Sequence, residues 1–240
     1  MKMLNDLLNY ENLKIYQRKD MFNFSIDTVL LARFATINNK VKNILDIGTN
    51  NAAIPLILST QTTAHITGVE IQKDAIMLAE ENVILNNRTE QIAIVHADIK
   101  EYIKVESDNK FDLVLCNPPF FKVGDYKLNE KSALLIPARH ETHLTLADLI
   151  ASLPKIIKNK GYFAMVHRVN RLTEIFALLT KHNFAVKRLQ FIHPFYNSEA
   201  ANVLIEATFC GAPGLKVEEP IIVHDENGEY SSQVQKWFSK

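Results

Sequence analysis

The stretch NILDIGTNNAAIPLIL, residues 43–58, decides the fold class. An apolar run over 43–48 ends in Asp and Gly, and a second apolar run over 53–58 carries Pro55 near its start. The first run is typical of a buried strand. The second is typical of a helix start, because proline is tolerated in the first turn, where its missing N–H is not needed. The stretch therefore predicts a strand, a tight loop and a helix.

The same alternation continues along the chain. Strands are predicted over 64–70, 91–96, 111–116 and 162–167, and helices over 26–37, 74–87, 145–157 and 172–181. Two further apolar runs, 186–193 and 202–210, are separated by too few residues for a crossover helix, so they should pair antiparallel. We therefore expect an α/β fold: a doubly wound, mostly parallel, seven-stranded sheet with antiparallel last strands, in three layers (αβα).

The rest of the chain is expected to belong to this one unit. Residues 1–39 are predicted to be an N-terminal extension that packs on the core, 40–212 the domain itself, and 213–240 a C-terminal tail of the same domain with a short strand over 221–224. Residues 124–137 form a polar loop and are a candidate lid.

Composition limits the possible partners only weakly. Basic and acidic residues number 27 each, but 151–190 contains eight basic residues and one acid. That segment is either a set of solvated faces or a phosphate-contacting surface, and both interpretations remain open. Cys116 and Cys210 lie in apolar runs, which predicts buried, reduced thiols and a cytoplasmic protein. No apolar run could span a membrane, and no obligate protein partner is inferred.

Three acids follow successive predicted strands: Asp46, Glu70 and Asp98. Ligands of open α/β sheets bind at the carboxyl ends of the strands, so these side chains are candidate ligands of one site. Glu70 comes 22 residues after Gly48, the spacing at which a carboxylate reaches a ribose diol. The loop has one glycine where a dinucleotide fingerprint has three, which favours a nucleoside-type cofactor over NAD.

The segment LCNPPFF, residues 115–121, ends the fourth strand. The amide oxygen of Asn117 and the carbonyl of Pro118 could accept the hydrogens of an exocyclic amine, and the prolines fix φ and lack N–H groups. Phe120 offers a flat face for base stacking, worth about 1–3 kcal/mol in single-strand binders. A Pro-Pro turn with core phenylalanines is the alternative, and Phe121 could belong to the core or to a pocket wall.

Together, LDIGTNN, GVE, HAD and LCNPPF resemble the class I S-adenosylmethionine-dependent methyltransferases in order and spacing. The resemblance implies that Asp46 and Gly48 contact the methionine part of S-adenosylmethionine and that Glu70 binds the ribose hydroxyls. It also implies that Asp98 binds the adenine amino group and that Ile71 and Ile99 flank the adenine ring. Asn117 is expected to contact the cofactor as well.

Two residues depart from that family's pattern. Asn50 and Ala52 stand where the family usually has glycine. Asn tolerates a left-handed backbone better than most residues, so Asn50 can replace a glycine. Ala52 is expected to add a methyl group near the cofactor.

NPPF also resembles the signature of amino-group methyltransferases acting on N6 of adenine, N4 of cytosine, N2 of guanine or protein glutamine. Segments 22–35, 135–141 and 214–231 resemble the bacterial tRNA1(Val) adenine-N6 methyltransferases, which modify adenine 37. We therefore expect N6-methylation of an adenine in tRNA, with Asn117, Pro118 and Phe120 as the catalytic residues. N2-guanine methylation of ribosomal RNA and a non-catalytic RNA-binding module stay open. His140 and His143 lack the further ligands of a metal site, so no metal is expected.

Overall fold

The computed structural model describes residues 2–8, 12–106, 110–118, 120 and 144–238. Its strands are β1 (Lys2–Leu8), β2 (Leu13–Arg18), β3 (Asn43–Ile47), β4 (His65–Glu70), β5 (Ile92–His96), β6 (Phe111–Cys116), β7 (Ile157–Arg168), β8 (Phe184–His193), β9 (Asn202–Phe209), β10 (Lys216–Val217) and β11 (Ile221–Ile222). Its α-helices are α1 (Ile26–Phe34), α2 (Ala53–Ser59), α3 (Lys73–Leu85), α4 (Ile99–Val105), α5 (Leu146–Ser152), α6 (Leu172–Lys181) and α7 (Ser232–Phe238).

The main sheet has the order β10–β8–β9–β7–β6–β3–β4–β5, and β11 also pairs with β8. β9 is antiparallel to both neighbours, while the other pairs are parallel. The predicted α/β class and the antiparallel last strands are therefore confirmed. The sheet has nine strands in the described residues rather than seven, because two-residue strands of the tail extend its β8 edge.

Helices cover both faces of this sheet. Successive residues of β3 alternate between two apolar cores, since Ile44 joins one core while Leu45 and Ile47 join the other. The first core contains buried residues of α1, α2, α3 and α7, and the second contains buried residues of α4, α5 and α6. The three-layer αβα arrangement follows directly from this alternation.

The N-terminal residues form a hairpin that the sequence did not predict. β1 and β2 pair antiparallel, and two asparagines one turn apart, Asn82 in α3 and Asn86 directly after it, bind the edge of β2. Asn86 accepts from Lys14 N at 3.0 Å and donates to Lys14 O at 2.7 Å. Asn82 likewise accepts from Tyr16 N at 2.6 Å and donates to Tyr16 O at 3.1 Å. The two amides complete the hydrogen bonding of a strand that would otherwise present an unpaired edge.

Two helices end earlier than predicted. The chain leaves α1 at Phe34 because the N–H and hydroxyl of Thr36 both donate to the buried Glu206 carboxylate, each at 2.7 Å. Arg188 completes this ion cluster at 3.2 Å from Glu206. The helix predicted over 145–157 ends at Ser152 and continues as a 3₁₀ turn around Pro154, whose missing N–H interrupts the α-helical ladder. β7 therefore begins at Ile157 rather than at residue 162.

The two cysteines differ in burial. Cys116 is buried as expected, but Cys210 is exposed, so the prediction of two buried thiols was wrong for the second. β9 ends at Phe209, and Cys210 follows it in a left-handed turn with φ +50°. Across the described ranges, no helix has the length and apolar character needed to span a bilayer. The division into 1–39, 40–212 and 213–240 stays a prediction.

Candidate active site

A pocket opens at the carboxyl ends of β3, β4, β5 and β6. The parallel register sets Ile47 beside both Val69 and Cys116, so the loops that follow these strands converge. The pocket lining includes most of the site residues expected from the sequence: Gly48, Glu70, Ile71, Asp98, Ile99, Asn117 and Pro118. Asp46 and Phe120 are not part of that lining.

The loop after β3 is held in a left-handed conformation at three positions. Gly48, Asn50 and Ala52 have φ of +73°, +49° and +64°. Gly48 N also donates to Val69 O at 2.9 Å, which ties the loop to β4. Asn50 takes the conformation that a glycine would otherwise supply, and its side-chain amide donates to Phe22 O at 2.7 Å. The first departure from the family pattern is thus accommodated by the backbone.

Ala52 is the second departure from the family pattern. It precedes the first residue of α2 and is fully buried, and its methyl packs in the apolar core rather than lining the pocket. The turn into α2 thus directs this side chain toward the core, and the prediction that its methyl lies near the cofactor stays a prediction.

Glu70 is the most firmly held of the strand-end acids. One carboxylate oxygen accepts from the N–H groups of Ile71 and Gln72, both at 2.9 Å. The other accepts from Asn50 N at 3.0 Å, which joins the loops after β3 and β4. An ionised carboxylate has about four acceptor positions, so an oxygen in the pocket retains capacity for a hydroxyl group. This geometry fits a ribose diol.

Asp98 caps α4, since its side chain accepts from Lys100 N at 2.8 Å. It lines the pocket together with Ile71 and Ile99, the two apolar residues expected to flank an adenine ring. His96 Nε2 lies 3.0 Å from Ile71 O and ties that turn to the end of β5. An acceptor with apolar residues on either side is the arrangement that a purine amine requires.

Asp46 lies beneath this pocket, with 1% of its surface exposed. Neither of its carboxylate oxygens has a hydrogen-bond partner of good geometry among the described residues. Burial raises the pKa of Asp46 to about 7, the Thr49 hydroxyl opposes the shift, and the Glu70 carboxylate adds to it. Asp46 is therefore buried next to the loop that follows β3 and is not part of the pocket wall.

Several of the buried side-chain polar atoms that lack a hydrogen-bond partner of good geometry among the described residues belong to residues 46–51. Besides Asp46, the hydroxyl of Thr49 and the amide nitrogen of Asn51 are buried and have no hydrogen-bond partner of good geometry among the described residues. Both residues line the pocket. Buried polar groups are nearly always hydrogen-bonded, so a loop with several orphaned ones is built for a polar ligand. The amino-acid part of S-adenosylmethionine, which carries an ammonium and a carboxylate, fits these residues.

Asn117 stands where the end of β6 meets α1. Its amide nitrogen lies 3.5 Å from the hydroxyl of Thr28, a buried residue that also lines the pocket. Because the nitrogen faces Thr28, the amide oxygen is directed away from Thr28. The sequence did not identify Thr28, although it falls within the stretch 22–35 that carried the family resemblance. Phe22 and Phe24, which also line the pocket, come from the same stretch.

Phe120 lies apart from the cofactor side. Its ring centroid is 5.4 Å from that of His167, and the guanidinium carbon of Arg168 is 5.7 Å from it. His167 Nδ1 accepts from Arg168 N at 2.8 Å, and burial lowers the pKa of His167 to about 4. The imidazole is neutral at physiological pH and holds the ring of Phe120 at the end of β7. Phe121, the candidate lid over 124–137, His140 and His143 lie outside the described residues.

The basic segment does not form one face. Lys158 and Lys160 lie toward the amino end of β7, whereas Arg168 lies at its carboxyl end. Several of these charges are also used internally: Lys158 pairs with Asp112 at 2.7 Å, and Arg188 pairs with Glu206 and Glu218. This distribution favours solvated and paired charges over a continuous phosphate-contacting surface.

The sheet order and the loop beneath the pocket define a class I methyltransferase fold. A predicted O-methyltransferase from Agrobacterium tumefaciens has a similar structure, with a TM-score of 0.68 at 20% identity over 88% of this chain and 94% of that one. TYW2 of Pyrococcus horikoshii, solved in complex with MeSAdo, gives a TM-score of 0.60 at 13% identity over 88% of this chain and 72% of that one.

The family follows from the sequence match. The family described as "methyltransferase small domain" matches residues 15–145, and the chain belongs to it. A relative from Parabacteroides distasonis, named tRNA1(Val) (adenine(37)-N6)-methyltransferase, is 26% identical over 204 residues, covering 85% of this chain and 84% of the relative. Membership in a methyltransferase family supports S-adenosylmethionine as the cofactor.

Proposed function

We propose that this protein transfers a methyl group from S-adenosylmethionine to N6 of an adenine in tRNA, with adenine 37 of tRNA1(Val) as the target. The observation that carries the proposal is the position of Asn117 and Pro118, which line the same pocket as Glu70 and Asp98. The name of the Parabacteroides distasonis relative supports the choice of tRNA and of adenine. A tRNA substrate is in keeping with the cytoplasmic location expected from the sequence.

The reaction requires little acid–base chemistry from the protein. The lone pair of an exocyclic amine is delocalised into the base, so the amine must be held with its hydrogens accepted before it can attack. S-Adenosylmethionine would supply the methyl group from its cationic sulfur and leave as S-adenosylhomocysteine, and the proton lost by the methylated amine would pass to solvent. We assign the acceptors to the amide oxygen of Asn117 and the carbonyl oxygen of Pro118. Positioning and exclusion of water then lower the barrier.

The contact with Thr28 supports this assignment because it engages the amide nitrogen of Asn117 and leaves the amide oxygen free of Thr28. With the amide nitrogen turned to the Thr28 hydroxyl at 3.5 Å, the oxygen becomes the acceptor available to the substrate. Pro118 is buried and its ring fixes φ, which leaves only ψ to set the direction of its carbonyl.

Phe120 is proposed as the stacking face for the base. His167 and Arg168 contact its ring at the end of β7. β7 pairs with β6, and Asn117 is the residue directly after β6. Adenine 37 belongs to a tRNA loop, where extrusion from the stack costs less than from a duplex. Asn117, Pro118 and Phe120 would together grip the amine edge and the face of one base.

Methyl transfer to defined RNAs tests the proposal. Purified protein is incubated with S-adenosylmethionine and an unmodified transcript of tRNA1(Val), and the nucleosides are identified by mass spectrometry after digestion. We expect N6-methyladenosine, and none from a transcript in which adenine 37 is replaced by guanine. Asn117→Ala should abolish the product, while Asn227→Ala, an exposed asparagine outside the pocket, should leave it unchanged.

Other outcomes would reject parts of the proposal. N2-methylguanosine from ribosomal RNA, with no product from tRNA, would replace the adenine target with guanine. Absence of S-adenosylmethionine binding at millimolar concentration would remove the enzymatic assignment and leave an RNA-binding module. N6-methyladenosine at another tRNA position would keep the reaction and change the site.

A further inference from the structure

Arg168 is the last residue of β7, a strand that extends beyond the end of its neighbour β6. Cys116 of β6 lies opposite Met165 of β7, and the two strands are parallel. β7 continues from Met165 to Arg168, which adds about 10 Å of strand past this pair. Arg168 therefore lies on the same edge of the sheet as Asn117 and farther along the strand direction.

The side chain of Arg168 is on the face of the sheet that α1 covers. Ala164 and Val166 of the same strand pack in the apolar core that contains α1, and alternate residues of a strand share a face. The guanidinium carbon is 5.7 Å from the ring centroid of Phe120, the proposed stacking face. The phosphates of a nucleotide are one ribose away from its base, so a base on Phe120 brings a phosphate within reach of an arginine side chain.

Asp27, in the first turn of α1, lies beside Arg168. Its carboxylate accepts from the side-chain amide of Asn202 at 3.0 Å, and Asn202 is paired with Arg168 across β9 and β7. Burial raises the pKa of the Asp27 carboxyl, while the Asn202 hydrogen bond and the positive charge of Arg168 oppose the rise. Asn202 thus holds the carboxylate where it attracts the guanidinium.

The other basic residues of 151–190, a segment that the structure describes throughout, are placed differently. β8 is parallel to β7, because both are antiparallel to β9. Four lysines lie at or near the amino ends of these two strands: Lys155, Lys158, Lys160 and Lys181. Lys187 and Arg188 lie inside β8. Arg171 follows β7, but it is 8% exposed and pairs with Glu174 at 2.8 Å. Within this segment, Arg168 is the basic residue that is both partly exposed and at the carboxyl edge of the sheet.

We propose that Arg168 binds a backbone phosphate of the RNA substrate beside the target base, and that Asp27 is the positioning residue that holds its guanidinium there. This inference rests on the proposed function. The planar guanidinium carries five N–H donors, so it can face a carboxylate and a phosphate at once. A phosphate contact fixes the position of the strand and reads no sequence. Arg168 therefore contributes affinity and register, while recognition of the base stays with Asn117 and Pro118.

Fluorescence anisotropy with a labelled, unmodified transcript of tRNA1(Val) tests the phosphate contact. Arg168→Gln should weaken binding about 10- to 100-fold, the range for a hydrogen bond to a charged group. The slope of log K against log salt concentration should become shallower by about one, the value for one lost phosphate contact. A transcript with guanine in place of adenine 37 should lose affinity by the same factor. Arg168→Lys keeps the charge and should retain the slope.

A charge-matched control comes from the opposite edge of the sheet. Lys155 is exposed and lies just before the amino end of β7. Lys155→Gln removes the same charge as Arg168→Gln and should leave the affinity and the slope nearly unchanged. Thermal unfolding and the dissociation constant of S-adenosylmethionine should match the wild-type protein in both variants, which separates loss of RNA contact from loss of fold.

The sign of the change at Asp27 separates positioning from simple charge. Asp27→Asn keeps the size of the side chain and removes a negative charge, so electrostatics alone predicts tighter RNA binding. We expect weaker binding, by a smaller factor than for Arg168→Gln. The double variant should bind no more weakly than Arg168→Gln alone, because Asp27 acts through Arg168. Asp148→Asn removes an exposed acid from the first turn of α5 and should not weaken binding.

The possible failures are distinguishable. If Arg168→Gln leaves the salt slope unchanged, or if its loss of affinity is confined to the transcript with adenine 37, Arg168 makes no phosphate contact and the inference is overturned. If Asp27→Asn binds as tightly as the wild-type protein or more tightly, Asp27 has no positioning role. If the wild-type protein neither binds nor methylates the transcript, the proposed function itself fails.

Discussion

Replacing the Asp46 carboxyl with an amide should change how the stability of this protein depends on pH. Asp46 is 1% exposed, and neither of its oxygens has a well-formed hydrogen bond among the described residues. Burial raises its pKa from 3.8 to about 7, with the Glu70 carboxylate contributing to the rise. Asp46→Asn keeps the size of the side chain and removes the titration.

The sign follows from the proton count. Between pH 4 and 7 the folded protein retains a proton on Asp46 that the unfolded chain has released. The free energy of unfolding therefore falls as the pH rises through this range, by about 1.4 kcal/mol per pH unit. A pKa that rises from 3.8 to about 7 corresponds to about 4 kcal/mol in total. Above pH 7 the full penalty is present.

Urea unfolding of the apo protein at half-unit steps from pH 4.5 to 8.5 measures this difference. At pH 4.5 the variant should be more stable than the wild-type protein by only about 1 kcal/mol, because the unfolded carboxyl is already largely ionised there. The variant should become more stable by up to about 4 kcal/mol at pH 8. All other titrating groups are common to both proteins, so their contributions cancel in the difference.

Two results would refute this reasoning. A difference that stays constant across the pH range would mean that Asp46 has the same pKa in the folded and unfolded states. A difference that grows toward acid pH would mean that the folded protein stabilises the ionised carboxylate, and a cation or donor would then have to lie beside it.

Three further predictions address the scaffold and the catalytic end. Glu206→Ala should lower the free energy of unfolding by about 3–5 kcal/mol, because Arg188 and the Thr36 groups lose a buried acceptor; Glu206→Gln should cost less in the same urea titration. Thr28→Val should reduce single-turnover methyl transfer by less than about tenfold, since a neutral hydrogen bond contributes about 0.5–1.5 kcal/mol, while the cofactor dissociation constant stays unchanged; a loss as large as that of Asn117→Ala would contradict a merely orienting role. In the wild-type protein the free energy of unfolding should fall by about 3 kcal/mol as the pH drops from 6.5 to 4, because the unfolded imidazole of His167 gains a proton while the folded one, with its lowered pKa, stays neutral. In urea titrations across this range, His167→Asn should lack this contribution.

Much of the fold could be predicted because its strands and helices follow from the pattern of apolar and polar residues within short segments of the chain. Apolar runs of strand length, each followed by an acid, identified β3, β4 and β5 and aligned Asp46, Glu70 and Asp98 with one edge of the sheet. Parallel pairing then brings those strand ends together whatever the details of the packing. The NPP segment indicated the proposed catalytic edge in the same way, since a strand that ends in an amide and two prolines is a local feature.

The errors fall where distant residues decide the outcome. α1 ends at Phe34 because Thr36 bonds to Glu206, a residue 170 positions away. The hairpin of β1 and β2 is completed by Asn82 and Asn86, in and directly after α3 and more than 60 positions downstream. Nothing in the local pattern of either segment encodes these partners.

Local patterns are sufficient to predict the α/β class, the strand-end acids, and the candidate acceptors Asn117 and Pro118, since each depends on residues close together in the chain. The surroundings of these residues depend on the tertiary structure. In the folded protein the Asn117 amide contacts the hydroxyl of Thr28, 89 residues away in the chain. Asp46 is buried and does not line the pocket. The amide nitrogen of Asn51 is buried without a hydrogen-bond partner of good geometry among the described residues. Orientation, burial and unmet hydrogen bonds arise from contacts between distant segments, which a linear pattern does not specify.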